Sequence, residues 1–92
     1  LDERDRLLAS RSFHNTMETV RDGTAGGWNN PNTGNNGVFR PTKTFQATQL
    51  DTTGHYMVYC REFTQTVFIG NKQQQAYGTA CRQRDGSWKI RQ

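Results

Sequence analysis

The chain has 92 residues, enough for a single domain with one modest hydrophobic core, and we expect that domain to span residues 1–92. Its 12 Lys and Arg residues against 8 Asp and Glu give a net charge of +4, which suits an anionic partner, although the basic residues form no continuous run. No segment approaches the roughly 18 consecutive apolar residues of a membrane-spanning helix. The sequence starts at Leu1 without a signal sequence, so we expect it to begin after processing or at an artificial boundary.

The first 20 residues predict an amphipathic helix at about residues 2–20. The segment contains no Gly or Pro, and Ala9, Phe13, Met17 and Val20 recur at helical spacing. Three acidic residues lie near its start, where the helix dipole favours negative charge: Asp2, Glu3 and Asp5. The sequence RDGTAGG that follows is rich in glycine and ends the helix.

From about residue 28 to residue 92 the sequence predicts an antiparallel sheet of four or five strands, so the fold class is α+β. The segment WNNPNTGNNG is rich in Asn and Gly and is typical of a loop between two short strands. Longer strands are predicted at VFRPTKTFQ (38–46), YMVYCREFTQTVFI (56–69), KQQQAYGTACRQR (72–84) and SWKIRQ (87–92). Pro41 indicates an edge strand or a bulge.

The Gly70-Asn71 turn sets the pairing of its two flanking strands, because a two-residue loop with glycine first is a favoured hairpin type. If Ile69 pairs with Lys72, then Cys60 lies directly opposite Cys81 at a non-hydrogen-bonded position, where side chains come closest. This geometry favours a disulfide. The alternative is two free buried thiols. A disulfide indicates an oxidising compartment outside the cytosol.

The Asp85-Gly86 dipeptide predicts a second two-residue loop. In that register Cys81 faces Ile90, and Gln83 faces Trp88. One face of the sheet then carries Tyr56, Val58, Cys60, Cys81, Trp88 and Ile90, and the other carries Phe63, Val67 and Ile69 beside Ala76, Gly78 and Ala80. We place the helix on the second face, where small residues allow close approach. The first face is then covered by the Trp28 loop or serves as a contact surface.

Three stretches resemble one family of bacterial proteins: WNNPNTGNNG, YCREFTQTV and IGNKQQQAYGTACRQRDGSWKI. They are similar to the C-terminal domain of the rickettsial seventeen-kilodalton surface antigens, which are small outer-membrane lipoproteins. Members of that family carry a lipidated cysteine and a glycine-zipper segment ahead of this domain, and neither is present in these residues. The resemblance implies a place at the bacterial outer membrane, periplasmic or surface-exposed, with membrane attachment only through a segment outside this chain.

The family implies no reaction, and the residues themselves indicate none. Cys60 and His55 lie on opposite faces of one predicted strand and about 16 Å apart, too far for a nucleophile and its base. Two histidines without neighbouring ligands do not make a zinc site. No glycine pattern matches a phosphate-binding loop. We therefore expect no enzyme, no catalytic residue, no metal and no cofactor.

A binding role is better supported than catalysis. The candidate binding patch combines four basic residues on neighbouring predicted strands with one aromatic residue: Arg61, Arg82, Lys89, Arg91 and Trp28. An oxidising compartment makes nucleic acid an unsuitable partner, whereas lipopolysaccharide, peptidoglycan or another outer-membrane protein fits. The alternative is that these arginines only solvate the sheet and pair with Glu62.

The sequence thus predicts a non-enzymatic extracytoplasmic module of an outer-membrane surface-antigen lipoprotein, with a structural or binding role in the envelope. The alternative is an inhibitor of a lysozyme or protease that acts through the loop Asn29–Gly37. An inhibitor needs a protruding loop aimed at an active site, and this loop is the candidate that the sequence offers. An ordinary polar turn is the simpler interpretation.

Overall fold

The computed structural model describes residues 1–91, which form one helix followed by five strands in a curled antiparallel sheet. The elements are α1 (Glu3–Thr19), β1 (Gly26–Asn29), β2 (Asn36–Asp51), β3 (Gly54–Ile69), β4 (Lys72–Arg82) and β5 (Trp88–Ile90). Each strand pairs with the next one in the chain. This architecture confirms the predicted α+β class. The last residue of the final predicted strand, Gln92, lies outside the described residues.

The helix α1 begins at a capping box. The Asp2 carboxylate accepts a hydrogen bond from the backbone N–H of Asp5 at 2.8 Å, and the Asp5 carboxylate accepts one from the N–H of Asp2 at 3.1 Å. Of the predicted apolar stripe, Phe13 and Met17 are buried. The described helix does not combine the length and the apolar character that a membrane crossing needs.

The pairing of β3 with β4 confirms the register predicted from the first turn. Ile69 pairs with Lys72 and Cys60 with Cys81, and Gly70 has the positive φ of 60° that a glycine-first turn requires. Cys60 and Cys81 form a disulfide with their Cα atoms 4.0 Å apart, the close approach of a non-hydrogen-bonded pair. The predicted disulfide is therefore present.

The register predicted for the second turn is wrong by one residue. Trp88 pairs with Arg82 instead of Gln83. The Gln83 N–H donates to the Ser87 carbonyl at 2.7 Å, and Gly86 has a φ of 90°, so the loop contains three residues instead of two. The extra loop residue moves Trp88 to the helix side of the sheet, opposite to the predicted side.

A bulge in β2 reverses the alternation of its side chains. The register shifts between Pro41 and Lys43, which agrees with the edge or bulge predicted at Pro41. Before the shift, Phe39 faces the helix. After it, Phe45 pairs with Cys60 and faces the opposite side.

Two groups of buried side chains lie on opposite sides of the sheet. The helix cluster consists of Phe13, Met17, Trp28, Phe39, Phe63, Ala80 and Trp88. The cystine cluster consists of buried Val58, Cys60 and Cys81 with partly buried Phe45, Ala47 and Tyr56. As predicted, the helix packs on the side of Phe63 and Ala80. Trp28 packs under the helix and does not cover the cystine.

Candidate functional site

Arg61 holds the C-terminal end of α1 to the middle of the sheet. Arg61 is 7% exposed, and its Nη1 donates to the carbonyl oxygens of Met17 at 2.9 Å and Thr16 at 3.4 Å. These carbonyl groups belong to the last turn of the helix, where a positive charge is favourable. The Arg61 guanidinium is therefore committed to the internal structure of the protein.

The remaining donors of Arg61 reach the loop that follows the helix and the strand β2. Nη2 lies 2.8 Å from a carboxylate oxygen of Asp22, and Nε donates to the Thr44 hydroxyl at 3.0 Å. The hydrogen bond from Arg61 lowers the pKa of Asp22 below its usual range, although burial of the carboxylate opposes the shift. One side chain thus joins α1, β2 and the connection to β1. Arg61 does not make the ion pair with Glu62 that the alternative interpretation of the sequence assigned to the arginines.

Glu18 performs a similar task beside Arg61. Its carboxylate accepts hydrogen bonds from the Trp88 indole N–H and from Arg82 Nε, each at 2.9 Å. The bond from Trp88 and the bond from Arg82 both lower the pKa of Glu18. Arg82 is therefore neutralised by a helix residue, and Trp88 has its one donor satisfied.

These groups surround an open cleft of about 370 Å³ at the C-terminal end of α1. Its lining residues are Met17, Glu18, Thr44, Tyr59, Arg61, Arg82 and Trp88. Acidic and basic side chains line it together, and the basic ones already have protein partners. The cleft consequently offers no unneutralised charge for an anionic ligand.

Lys89 and Arg91 lie elsewhere. Lys89 pairs with Cys81, so its side chain is on the cystine side of the sheet, whereas Arg61 and Arg82 face the helix. With Gln49, Gln83 and Ile90, the two basic residues line a second depression of about 280 Å³. The structure thus distributes the candidate patch over both faces: Arg61, Arg82 and Trp28 on the helix side, and Lys89 and Arg91 on the cystine side.

A buried carboxylate at the other end of α1 organises the loop Asn29–Gly37. Asp5 is fully buried and accepts side-chain hydrogen bonds from Asn30, Thr33 and Asn35 at 2.8 to 2.9 Å. Burial alone would raise the pKa of Asp5, but the hydrogen bonds from Asn35, Asn30, the Asp2 backbone and Thr33 outweigh burial and hold the pKa far below its usual range. The loop is fastened to the helix by its own polar side chains.

Sequence reasoning placed Asp5 in the first helical turn and missed this second role. The Asp2-x-x-Asp5 spacing of a capping box and the excess of side-chain amides in the loop were the available signals.

The described residues offer few groups for nucleophilic or metal chemistry. Both cysteines are oxidised in the disulfide, and no three potential metal-ligating side chains cluster within residues 1–91.

These features define a small α+β domain that one buried disulfide cross-links. Hydrogen bonds from charged side chains hold both ends of its helix to the rest of the domain. The chain belongs to the family of 17 kDa outer membrane surface antigens, whose model matches residues 15–89. That match includes the disulfide, the Arg61 contacts and Trp88, while Asp5 lies before it.

Among the relatives, the 17 kDa surface antigen of Rickettsia felis is 48% identical over 90 residues, which is 98% of this chain and 52% of that protein. The 17 kDa surface antigen of Rickettsia prowazekii is 44% identical over 89 residues, 97% of this chain and 52% of that protein. The chain thus spans about half the length of these relatives. No solved structure matches it.

Proposed function

We propose that this chain is a non-enzymatic extracytoplasmic module of an outer-membrane surface-antigen lipoprotein, with a structural or binding role in the bacterial envelope. The observation that carries the proposal is the buried disulfide, whose cysteines are 0% and 1% exposed, in a member of an outer membrane surface antigen family. A disulfide persists in the oxidising envelope and not in the reducing cytosol.

The commitment of polar groups to internal contacts supports a role without catalysis. Arg61 caps the helix, Glu18 holds Trp88 and Arg82, and Asp5 holds the loop Asn29–Gly37. A catalytic acid or base needs a proton-exchanging group within reach of a substrate. The carboxylates with lowered pKa in this chain are instead stabilised as anions by neighbouring donors.

Within this role, the geometry favours the depression around Lys89 and Arg91 as the contact for anionic envelope components such as lipopolysaccharide or peptidoglycan. Both residues are exposed. Gln49 and Gln83 add side-chain amides beside them, which can donate to phosphate or carboxylate oxygens. Arg61 and Trp28, which are buried, contribute to this contact only by maintaining the fold.

The inhibitor alternative draws no support from the contacts of its loop. Asn30, Thr33 and Asn35 point toward Asp5 and away from any enzyme that would approach. We therefore rank inhibition of a lysozyme or protease below the envelope role.

Accessibility of the protein in its own bacterium tests the location. The full-length protein carries an epitope tag at an exposed position of β4, and antibody binding is compared between intact and permeabilised cells. Binding to intact cells places the domain at the surface, and binding that appears when the outer membrane alone is permeabilised places it in the periplasm. A cytosolic protein whose two thiols alkylate without reductant would overturn the proposal.

Binding to envelope components is tested with the purified chain and vesicles that contain lipopolysaccharide, and with isolated peptidoglycan. The double variant Lys89→Gln, Arg91→Gln should bind more weakly, and wild-type binding should fall with added salt. The variant Arg4→Gln, Arg6→Gln removes the same charge from the exposed side of α1 and is the matched control. Equal binding by both variants would contradict a role for the Lys89 depression.

A further inference from the structure

Half of the outer edge of β2 carries no neighbouring strand. β1 pairs only with the Asn36–Phe39 part of this edge. The loop before β1 covers the next part, since the Gly23 N–H donates to the Pro41 carbonyl at 2.8 Å. The Asp22 carboxylate of this loop accepts hydrogen bonds from the Thr44 hydroxyl at 3.0 Å and from the Thr44 backbone N–H. From Phe45 to Asp51, which we call the open edge, no strand or loop within residues 1–91 pairs with the outward backbone groups.

The direction of these groups follows from the disulfide. Cys60 and Cys81 are a non-hydrogen-bonded pair, so the backbone N–H and C=O of Cys60 turn away from β4 and toward its β2 partner Phe45. The alternation along β2 then directs the N–H and C=O of four residues outward, away from β3: Thr44, Gln46, Thr48 and Leu50. A free strand edge with outward donors and acceptors is a template for another strand.

The two halves of this edge differ in their protection against pairing. Near Pro41 the chain has a proline, a bulge and a covering loop, all of which block strand addition. Between Lys43 and Asp51 the sequence TFQATQL contains no charge, no Pro and no Gly. Leu50 in this segment is 69% exposed. The open edge therefore lacks the features that keep other edges apart.

We propose that the open edge pairs in antiparallel fashion with the same edge of a second copy of this chain, in a register centred on Ala47. In that register Lys43 of each copy lies opposite Asp51 of the other, so the charges that bound the segment are complementary. Gln46 pairs with Thr48 of the second copy, and each such pair exchanges two backbone hydrogen bonds.

The length of the open edge fits this arrangement. The paired segment of the second copy ends at its own Thr52-Thr53 turn, because β2 ends at Asp51. That turn then lies next to the part of the edge that Gly23 already covers. The pairing thus fills the open edge and joins two sheets into one, an association that the envelope role does not require.

Sedimentation velocity on the chain with its disulfide intact tests the proposal. The wild-type chain should show a reversible monomer–dimer equilibrium. Thr48→Pro removes an N–H that points away from β3, so the monomer should keep its fold while the dissociation constant rises about tenfold or more. Thr48→Ala retains the N–H and should dimerise like the wild type. Circular dichroism confirms that both variants are folded.

Charge reversal tests the register independently. Lys43→Glu places a carboxylate opposite Asp51 of the second copy and should weaken the dimer. Lys72→Glu makes the same charge change at the far turn, on an exposed residue, and should leave the dimer intact. A chain that stays monomeric up to about 1 mM, or a dimer with equal affinity in Thr48→Pro and Thr48→Ala, overturns the proposal. Equal effects of the two charge variants overturn the Ala47-centred register.

Discussion

The helix cluster and the cystine cluster stabilise the two sides of one sheet by different means. The helix cluster has seven buried residues, and the Phe13 ring makes edge contacts with Phe39 and Phe63 at centroid distances of 5.4 and 5.3 Å. The cystine cluster has three buried residues, two of which share a covalent bond. The single helix covers only one side of the sheet. The other side buries less apolar surface and therefore depends on the disulfide for its stability.

The two clusters also differ in whether the charged residues around them are buried or exposed. The helix cluster is bounded by buried charged groups, Asp5 at one end and Arg61 at the other. The cystine cluster is bordered by exposed charge: Arg84 lies 4.1 Å from the centroid of the Tyr56 ring and 3.2 Å from the Asp51 carboxylate. Exposed contacts of this kind contribute little, so the disulfide carries more of the stability on its side.

The largest expected effect comes from the helix cluster. Phe63→Ala removes a ring that contacts Phe13 and lies 4% exposed, and it should lower the free energy of unfolding by about 3–5 kcal/mol. Urea unfolding measures the change. Tyr56→Ala, a partly buried ring of the cystine cluster, is the control and should cost clearly less. Equal losses would mean that the two clusters do not differ as described.

The next effect concerns the covalent bond. Reduction of Cys60–Cys81, which closes a loop with a sequence separation of 21, should lower the stability by roughly 3 kcal/mol. The melting temperature should fall by about 4–8 °C for each kcal/mol lost. Hydrogen exchange after partial reduction should rise at Val58 before it rises at Phe63. Simultaneous loss of protection at both positions would show that the clusters unfold as one unit.

Arg61 lies next to Cys60 in sequence but belongs to the helix side. Arg61→Gln leaves the Met17 carbonyl and the Asp22 carboxylate without their donor, and it should cost about 1.5–3 kcal/mol. Arg91→Gln changes an exposed residue and should stay within about 0.5 kcal/mol of the wild type. Chemical unfolding of the two variants separates a structural arginine from a surface one. Comparable losses would contradict the assignment of Arg61 to the helix end.

The last effect is a pH dependence at the other helix end. Asp5 has a folded-state pKa well below the unfolded value of about 3.9, so its contribution is present above that pH and is lost as the pH falls below it. Asp5→Asn should therefore flatten the fall in unfolding free energy on acidification, besides weakening the loop Asn29–Gly37. Thermal unfolding at a series of acidic pH values gives the slope. An unchanged slope would contradict the role assigned to the Asp5 carboxylate.

The parts of the fold that the sequence predicted depend on local chemistry. The Gly70-Asn71 turn admits one loop length, and the β3–β4 register and the disulfide follow from it. Asp85-Gly86 fits both a two-residue loop and a three-residue loop in which the glycine has positive φ. The structure has the longer loop, so Trp88 joins the helix cluster and not the cystine cluster.

The contacts of the candidate site were less predictable because they are tertiary. Arg61 and Lys89 are both basic strand residues in the sequence, and only the docking of α1 distinguishes a buried helix cap from an exposed charge. The same applies to Trp28, which precedes a polar loop in the sequence and is buried in the helix cluster of the structure. The type of each side chain can be read from the sequence, but its contact partner depends on the tertiary structure.

The bulge at Thr42 sets a limit on how the length of this chain can change. Phe39 and Phe45 both occupy odd-numbered positions and would lie on one face of a regular strand, yet the bulge sends one to each cluster. Deleting Thr42 would remove the bulge and leave five steps between Phe39 and Phe45, an odd number that keeps the two rings on opposite faces of a regular strand. The interval between Phe39 and Phe45 can therefore shorten by the one bulge residue without moving either ring, and homologous chains should have either this length or one residue fewer.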